Sequence, residues 1–216
     1  MNLTAEEQDM LTGAQGEILR RAMEMQVAVG EFFGAEKMVP IASAHAAGDA
    51  WIMGDAGLDY VEEAAAAGAR FRVPTTYNAC SVDFENWQLF KQPKEHVDKE
   101  RRVAEGLAKM GMVTSMTCIN YQTISPPRFN EHVAWGDTGA VIFANAVTGA
   151  RSNFEGGPAA ISAGLTGRVP AYGYHLAEQR RGTWVVDIKA PLREWADWGA
   201  LGCWVGRQLM NYWEVP

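Results

Sequence analysis

Met38-Val39-Pro40-Ile41-Ala42-Ser43 runs without a break into Ser43-Ala44-His45-Ala46-Ala47-Gly48. A short apolar segment followed by small and polar residues predicts a buried strand over 38–43 that empties into a loop over 43–48. Upstream, Thr4 followed by Glu7 forms a capping box that opens a first helix ending near Gly13. A second helix is predicted from Gln15 to Phe33, with Ile18, Ala22, Met25, Val29 and Phe32 on one face and Gly34 as its stop. Downstream, Gly57 to Ala67 reads as a helix with Leu58, Val61 and Ala65 inward, closed by Gly68.

The same alternation continues. Arg70 to Val73 reads as a strand stopped by Pro74, leading into the polar loop 75–83. Lys94 to Met110 reads as a charged helix carrying Val97, Ala104 and Leu107 on one face. Val113 to Thr117 follows as a strand that delivers Cys118 to a turn. Ala140 to Ala144 is the most apolar strand, and it opens into the loop 145–153. Thr183 to Ile188 reads as a late strand, and Arg193 to Leu209 as a final helix rich in Trp. Helices alternating with short apolar strands imply an α/β fold, a mostly parallel sheet with flanking helices. The chain reads as one domain over 1–216, with Gly156-Gly157-Pro158 as its best hinge candidate, near 155–158.

Four of these strands end in loops dense with Ser, Thr, Asn, His, Asp and Arg. Ligands of open α/β sheets bind outside the carboxyl ends of the strands, so the loops are expected to converge on one site. Polarity is also the common state of any loop. The loops supply Ser43, His45, Thr75, Thr76, Asn78, Ser81, Asp83, Asn145, Arg151 and Asn153, and His175 joins them from a later loop. Arg151 follows an apolar segment and a glycine, which suits a carboxylate or phosphate clamp.

Composition narrows the classes. The 216 residues carry 19 Lys and Arg against 26 Asp and Glu, a net charge of −7, and the basic residues are scattered. That is not the footprint of a nucleic-acid binder. No apolar run is long enough to span a bilayer, and the polar, acidic start does not read as a signal peptide. Three cysteines are too few for a disulfide scaffold, so a reducing compartment, most simply the cytoplasm, is expected. There is no G-x-x-x-x-G-K loop, no G-x-S-x-G elbow, no H-E-x-x-H and no C-x-x-C. Cys80, Cys118 and Cys203 invite an iron–sulfur reading, in which three thiolates leave one iron open as a Lewis acid. They have no ligand spacing, and the count alone favours three unrelated thiols. Cys118, at a strand end in a polar turn, is the best metal ligand of the three; Cys203 reads as a small hydrophobe in the last helix.

The loops together resemble a family. LTAEEQDMLTGAQG near the start, SAHAAG at 43–48, GDAGL at 54–58, VPTTYNACSVD at 73–83, TCINY at 117–121, EHVAWGDTGAVIFANAVTGARSN at 131–153, TGRVPAYGYHL at 166–176 and DWGALG at 197–202 are collinear with the large, catalytic subunit of aconitase X. The resemblance implies an aconitase-like catalytic domain and a hydro-lyase. The substrate would be a small hydroxy acid, cis-3-hydroxy-L-proline first and phosphomevalonate as the alternative. An iron–sulfur cluster held by three cysteines and a small swivelling domain or subunit that closes over the site are implied as well. Only Cys118 matches a cluster cysteine; Cys80 and Cys203 do not. The family's other two cysteines lie in a C-terminal catalytic half, which would be a partner for this stretch. The family usually has Pro at Asn120, Glu at Asp137 and Ser at Ala146.

On this reading His45, Ser43 and Arg151 are the catalytic candidates, and Thr75, Thr76, Asn78, Ser81, Asp83, Asn145, Asn153 and His175 the substrate-binding ones. Donors aimed at the substrate carboxylate would stabilise the charge that develops as the α-proton leaves. A different class of reading stays open: a non-catalytic half-protein that binds a partner or ligand and holds no cluster. Trp195, Trp198, Trp204, Tyr212 and Trp213 are expected to form an exposed apolar patch.

Overall fold

The computed structural model describes residues 1–209 in two compact units, Met1–Arg180 and a second that begins at Arg181. In the first unit the helices are α1 (Ala5–Leu11), α2 (Glu17–Phe32), α3 (Ala50–Ala66), α4 (Lys94–Lys109), α5 (Asn120–Thr123), α6 (Thr138–Ile142) and α7 (Gly157–Thr166). The strands are β1 (Met38–Pro40), β2 (Ser43–Ala46), β3 (Thr75–Tyr77), β4 (Val133–Trp135) and β5 (Arg168–Pro170). The second unit holds α8 (Trp195–Gln208). Among the described residues no helix is long and apolar enough to cross a membrane.

The sheet that matters is parallel, in the order β3-β2-β4. Its register sets His45 opposite Thr76 on one side and Trp135 on the other. Parallel bridges extend it outward, Val113 beside Thr76 and the 151–154 segment beside β4 through His132–Arg151 and Trp135–Phe154. Side chains alternate across it. Ala44, Ala134, Ala163 and Val169 pack on the α7 side, and Ala46 and Tyr77 join the larger core with Leu58, Val61, Leu107 and Ile161. Val133 and Trp135 face the other way, against Ala140, Val141 and Ala144. His45 and Thr76 share that second face by register. β1 and β5 form a separate antiparallel pair.

The sheet is thus mostly parallel, but several strands differ from the sequence expectation. Ala140 to Ala144 is helix α6 running into a π-helical turn over Phe143–Thr148, not a strand. Asp137 caps it by accepting the Ala140 N–H at 3.2 Å, and the buried residues Ala140, Val141 and Ala144 lie on one helical face. An apolar run of this length cannot distinguish the two structures by periodicity. The actual strand, Val133–Trp135, is three residues long and leaves no such run. Arg70–Val73 is not a strand; pairing begins just after Pro74, at Thr75–Tyr77, because a proline is tolerated before the first ladder hydrogen bond. The 38–43 strand divides into β1 and β2, and the expected loop 43–48 is largely β2 itself. Of 113–117 only Val113 pairs. No strand forms at 183–188, where every residue is exposed.

The face of α2 also differs. Ile18, Ala22, Gln26 and Gly30 are buried in steps of four, while Met25 and Phe32 are exposed. Gln26 is admitted to the core because its Nε2 donates to the Ala159 carbonyl at 2.8 Å. Gly156-Gly157-Pro158, read as a hinge, starts α7 inside the first unit. A Cβ on Gly157 would fall 2.0 Å from the Ala47 carbonyl oxygen, so the loop after β2 seats directly on this helix start. In the second unit, Glu194 and Asp197 form a capping box for α8, which has no buried residue. Trp195, Trp198 and Trp204 are exposed; Tyr212 and Trp213 lie outside the described residues.

Glu100 of α4 is fully buried and is the polar centre of the larger core. Its carboxylate accepts the Ala50 N–H at 2.8 Å, the Tyr77 hydroxyl at 3.0 Å and the Ser81 hydroxyl at 3.1 Å. One side chain therefore joins the start of α3, the end of β3 and the loop beyond it. Glu100→Ala should strip acceptors from two buried donors and lower stability by about 3 kcal/mol. A urea midpoint equal to wild type would remove Glu100 from this role.

Candidate functional site

The carboxyl edge of the parallel sheet gathers one set of polar groups. His45 is fully buried on β2, with Nδ1 at 2.8 Å from Thr76 Oγ1. The Thr76 hydroxyl donates to the Ala44 carbonyl at 3.4 Å and accepts from Asn120 Nδ2 at 3.4 Å. Nδ1 is thereby occupied, and Nε2 is the ring nitrogen left over. Among the described residues that nitrogen makes no hydrogen bond of ordinary geometry, and neither do Asn78 Oδ1 nor Asn120 Oδ1, although the Asn78 side chain lies near enough to His45 to raise its basicity. Three buried polar atoms, from β2, the loop after β3 and α5, thus stand unpaired around one threonine-centred network. Burial drives the imidazole down to about 4, against the opposing pull of the Asp137 charge and of Asn78.

Cys118 belongs to the same neighbourhood. Its turn is tied to β3 on both sides: the Thr117 N–H donates to the Tyr77 carbonyl at 3.3 Å, and Asn120 reaches Thr76. The thiol is half-buried. Cys80 packs against the larger core and its thiol donates to the Val82 carbonyl; Cys203 is exposed on α8. Among the described residues no three His, Cys, Asp or Glu side chains gather as a metal site.

The other expected site residues divide. Ser43 accepts the Trp135 indole N–H at 3.2 Å and so fixes the ring beside His45. Thr75 faces the opposite side of the sheet, against Gly164 of α7. Ser81 is bound to Glu100 and His96, and Asp83 accepts the Glu85 and Asn86 amides in its own turn. Arg151, Asn145, Asn153 and His175 form a second cluster. Arg151 pairs with His132, three residues before Trp135 and one strand further from β2. At ~3.3 Å per residue and ~4.8 Å per strand, its backbone lies about 14 Å from that of His45.

Asn120 and Asp137, noticed in the sequence only as departures from a pattern, are part of the His45 network. Glu100 had a legible signal, since position 100 lies on the same helix face as Val97, Ala104 and Leu107. Glu155 had none. It is buried, its Oε1 has no partner, and burial alone raises its carboxyl to about 7.

A family description, aconitase X first domain, matches residues 1–178. The chain belongs to the aconitase X family. The large subunit of phosphomevalonate dehydratase from Thermococcus kodakarensis is 40% identical over 217 residues, covering 100% of this chain and 53% of that subunit. The cis-3-hydroxy-L-proline dehydratase of Pseudomonas aeruginosa is 37% identical over 188 residues, covering 87% of this chain and 32% of that enzyme. The crystal structure of Thermococcus kodakaraensis aconitase X, in its holo-form, superposes with a TM-score of 0.86 at 38% identity, over 96% of this chain and 52% of that one. This aconitase X chain therefore spans about half the length of the archaeal relatives it matches.

Two opposed pH effects follow from burial. His45 and His175 are neutral in the fold and titrate near 4 and 3, whereas the unfolded imidazole titrates near 6.5. They cost stability as pH falls below 6.5. Glu155 is protonated in the fold up to about 7 but ionises near 4.5 when unfolded. It costs stability as pH rises from 4.5 to 7 and no more beyond. Glu155→Gln should therefore stabilise the protein at pH 8, by up to roughly 3 kcal/mol, and leave it nearly unchanged at pH 4. Thermal unfolding of the two proteins at both pH values measures this; equal stability at pH 8 contradicts it.

Proposed function

We propose that this chain is the first part of the catalytic body of a hydro-lyase that dehydrates a small β-hydroxy acid. The observation that carries the reading is the set of unpaired buried atoms, His45 Nε2, Asn78 Oδ1 and Asn120 Oδ1, beside the Cys118 turn. Buried polar groups ordinarily have partners, and a group of them left open is supported best as a place for ligand donors. The chain's own contribution is to bind and orient. His45 Nε2 forms a hydrogen bond with the substrate hydroxyl and orients it, and that hydroxyl keeps its proton as it departs. Asn78 and Asn120 hold the polar ends of the substrate, and Thr76 fixes the orientation of the His45 ring. Ser43 acts through Trp135, which walls the site.

Cys118 would supply one thiolate to an iron–sulfur cluster. A three-thiolate cluster needs two more ligands than this stretch brings together. Such a cluster, when bound, supplies a Lewis acid that polarises the departing hydroxyl. The remaining ligands would come from a C-terminal catalytic half, and a small subunit would close the site, as the name "large subunit" of the archaeal relatives suggests. Three free thiols support a reducing compartment such as the cytoplasm.

For the substrate we favour 5-phosphomevalonate over cis-3-hydroxy-L-proline, reversing the expectation from sequence. The phosphomevalonate dehydratase subunit shares more of its length and slightly more identity with this chain than the hydroxyproline enzyme does. The second reading is a half-protein that binds a partner and no cluster.

The test is anaerobic reconstitution of the chain with a C-terminal half and a small subunit, scored by bound iron and by dehydration of each substrate. Cys118→Ala should lose the iron and the activity together. His45→Gln should keep the iron and lose about a hundredfold or more in kcat. A reconstituted wild type without iron supports the second reading. A His45→Gln variant of full activity removes His45 from the chemistry.

A further inference from the structure

The second cluster is built differently from the first. Arg20, Arg21, Arg72, Arg102 and Arg168 each sit on a carboxylate. Arg151 and Arg180 pair with none among the described residues; Arg70, Arg101 and Arg128 also lack one, but they are exposed, whereas Arg151 and Arg180 are half-buried. Neutral oxygens orient them instead. Arg151 Nε donates to Asn130 Oδ1 at 2.8 Å and Nη1 to the His175 carbonyl at 2.9 Å. Arg180 donates to Asn145 Oδ1 and, at 3.3 Å, to the Asn145 carbonyl. Such acceptors fix a guanidinium without cancelling its charge, and each arginine has five N–H donors, of which these contacts use two. The charges reach one another: Arg151, after burial, depresses the basicity of Arg180, and both arginines depress His132 and His175.

The scaffold under these groups is rigid. His132 and His175 stack, with their Nδ1 atoms 2.9 Å apart. One ring donates and the other accepts, so the pair holds a single proton between those atoms. His175 is 3% exposed and its Nε2 has no partner. Asn145 is fixed within the π-helical turn by donating to the Val141 and Ser152 carbonyls, at 2.9 and 2.8 Å. Gly173, at φ 52°, lets Asn153 Oδ1 stand 2.4 Å from where a Cβ would be, and Asn153 accepts the Tyr174 N–H at 2.8 Å. The loop that carries His175 is thereby clamped. Arg151, Arg180 and His132 remain half-buried, open to a ligand.

We infer that Arg151, Arg180 and His132, backed by His175, form a binding site for a phosphate-type dianion, separate from the His45 site. Two guanidiniums without a counter-charge match two negative charges, and their fork geometry suits tetrahedral oxyanions. A surface coincidence would not come with both guanidiniums pre-oriented and a buried imidazole nitrogen left open. The anion is inorganic phosphate or the phosphate of a small molecule, and the inference does not require the dehydratase reading.

The experiment is a titration of the full chain with inorganic phosphate, followed by NMR of the histidine rings. His45→Gln, His96→Gln and His132→Gln variants assign three of the four histidine signals, and His175 is the fourth. Phosphate should move the His132 and His175 signals and leave His45 and His96 in place. Acetate at matched ionic strength should bind at least about tenfold more weakly, and Arg180→Gln should weaken phosphate about tenfold. Arg180→Lys, which keeps the charge but loses the fork, should fall between, and covers the case in which the Gln variant does not fold. Tighter binding of 5-phosphomevalonate than of phosphate assigns the anion to a phosphorylated metabolite; equal binding assigns it to free phosphate. An equal response to acetate, a shift confined to His45, or folded Arg180 variants that titrate like wild type would each overturn the proposal.

Discussion

The arrangement of this aconitase X chain depends on one buried carboxylate. Among the described residues Glu100 pairs with no cation; three hydrogen bonds take the place of its hydration. A carboxyl group so buried is tolerated only where its oxygens find partners, so the donors must come to it. They come from Ala50, Tyr77 and Ser81, which lie just beyond or at the carboxyl ends of β2 and β3. Gly48, Asp49 and Asn78 are thereby held at fixed distances from His45. Asp49 in turn caps α3 by accepting the Trp51 and Ile52 amides. Loops that would otherwise be free to move are fastened to a helix that carries no site residue.

The two polar clusters then differ in what they lack. Around His45 three buried atoms are left over among the described residues: an imidazole nitrogen and two amide oxygens. Around Arg151 positive charge is left over. Leaving a buried polar atom unpaired costs about 1–3 kcal/mol, so the first surplus is not a default outcome of folding. The first invites donors or a cation, the second an anion. Their separation follows from the sheet, because His45 lies level with the last residue of β4 and Arg151 with the residue before its first.

The fold class was legible in the sequence because helix caps and stops are local. Thr4 and Glu7, Gly34, Gly68 and Gly111 mark real boundaries, and α4 begins at Lys94 as its pattern requires. The strands were legible only as a type. Each pairs over three or four residues, too few for alternation to register, and Pro74 stands before a strand where it was read as an end. The Ala140–Ala144 run was misread because burial on a helix and burial in a sheet produce the same apolar composition. His45, Thr76, Asn78 and Cys118 could be nominated from their loops. What the sequence withheld was register: nothing in residues 145–153 tells that the chain from Arg151 on runs beside β4 from its amino end. Glu155 was invisible for a related reason, since a single glutamate in a glycine-rich loop has the composition of a solvated one.

The turn that carries Cys118 is held by the same network. Its turn is fastened by Thr117 to the backbone of β3 and by Asn120 to the hydroxyl that also orients His45. The same threonine therefore fixes the His45 ring and, through two residues of chain, the turn at Cys118. A substitution at Thr76 would release both at once, whereas one at Asn120 would free the turn and leave the His45–Thr76 contact in place. The order of dependence runs from the strand register to Thr76, from Thr76 to His45 and Asn120, and from Asn120 to Cys118. A turn held in this way is ordered before anything binds to it, and a ligand that meets it spends less binding energy on ordering it.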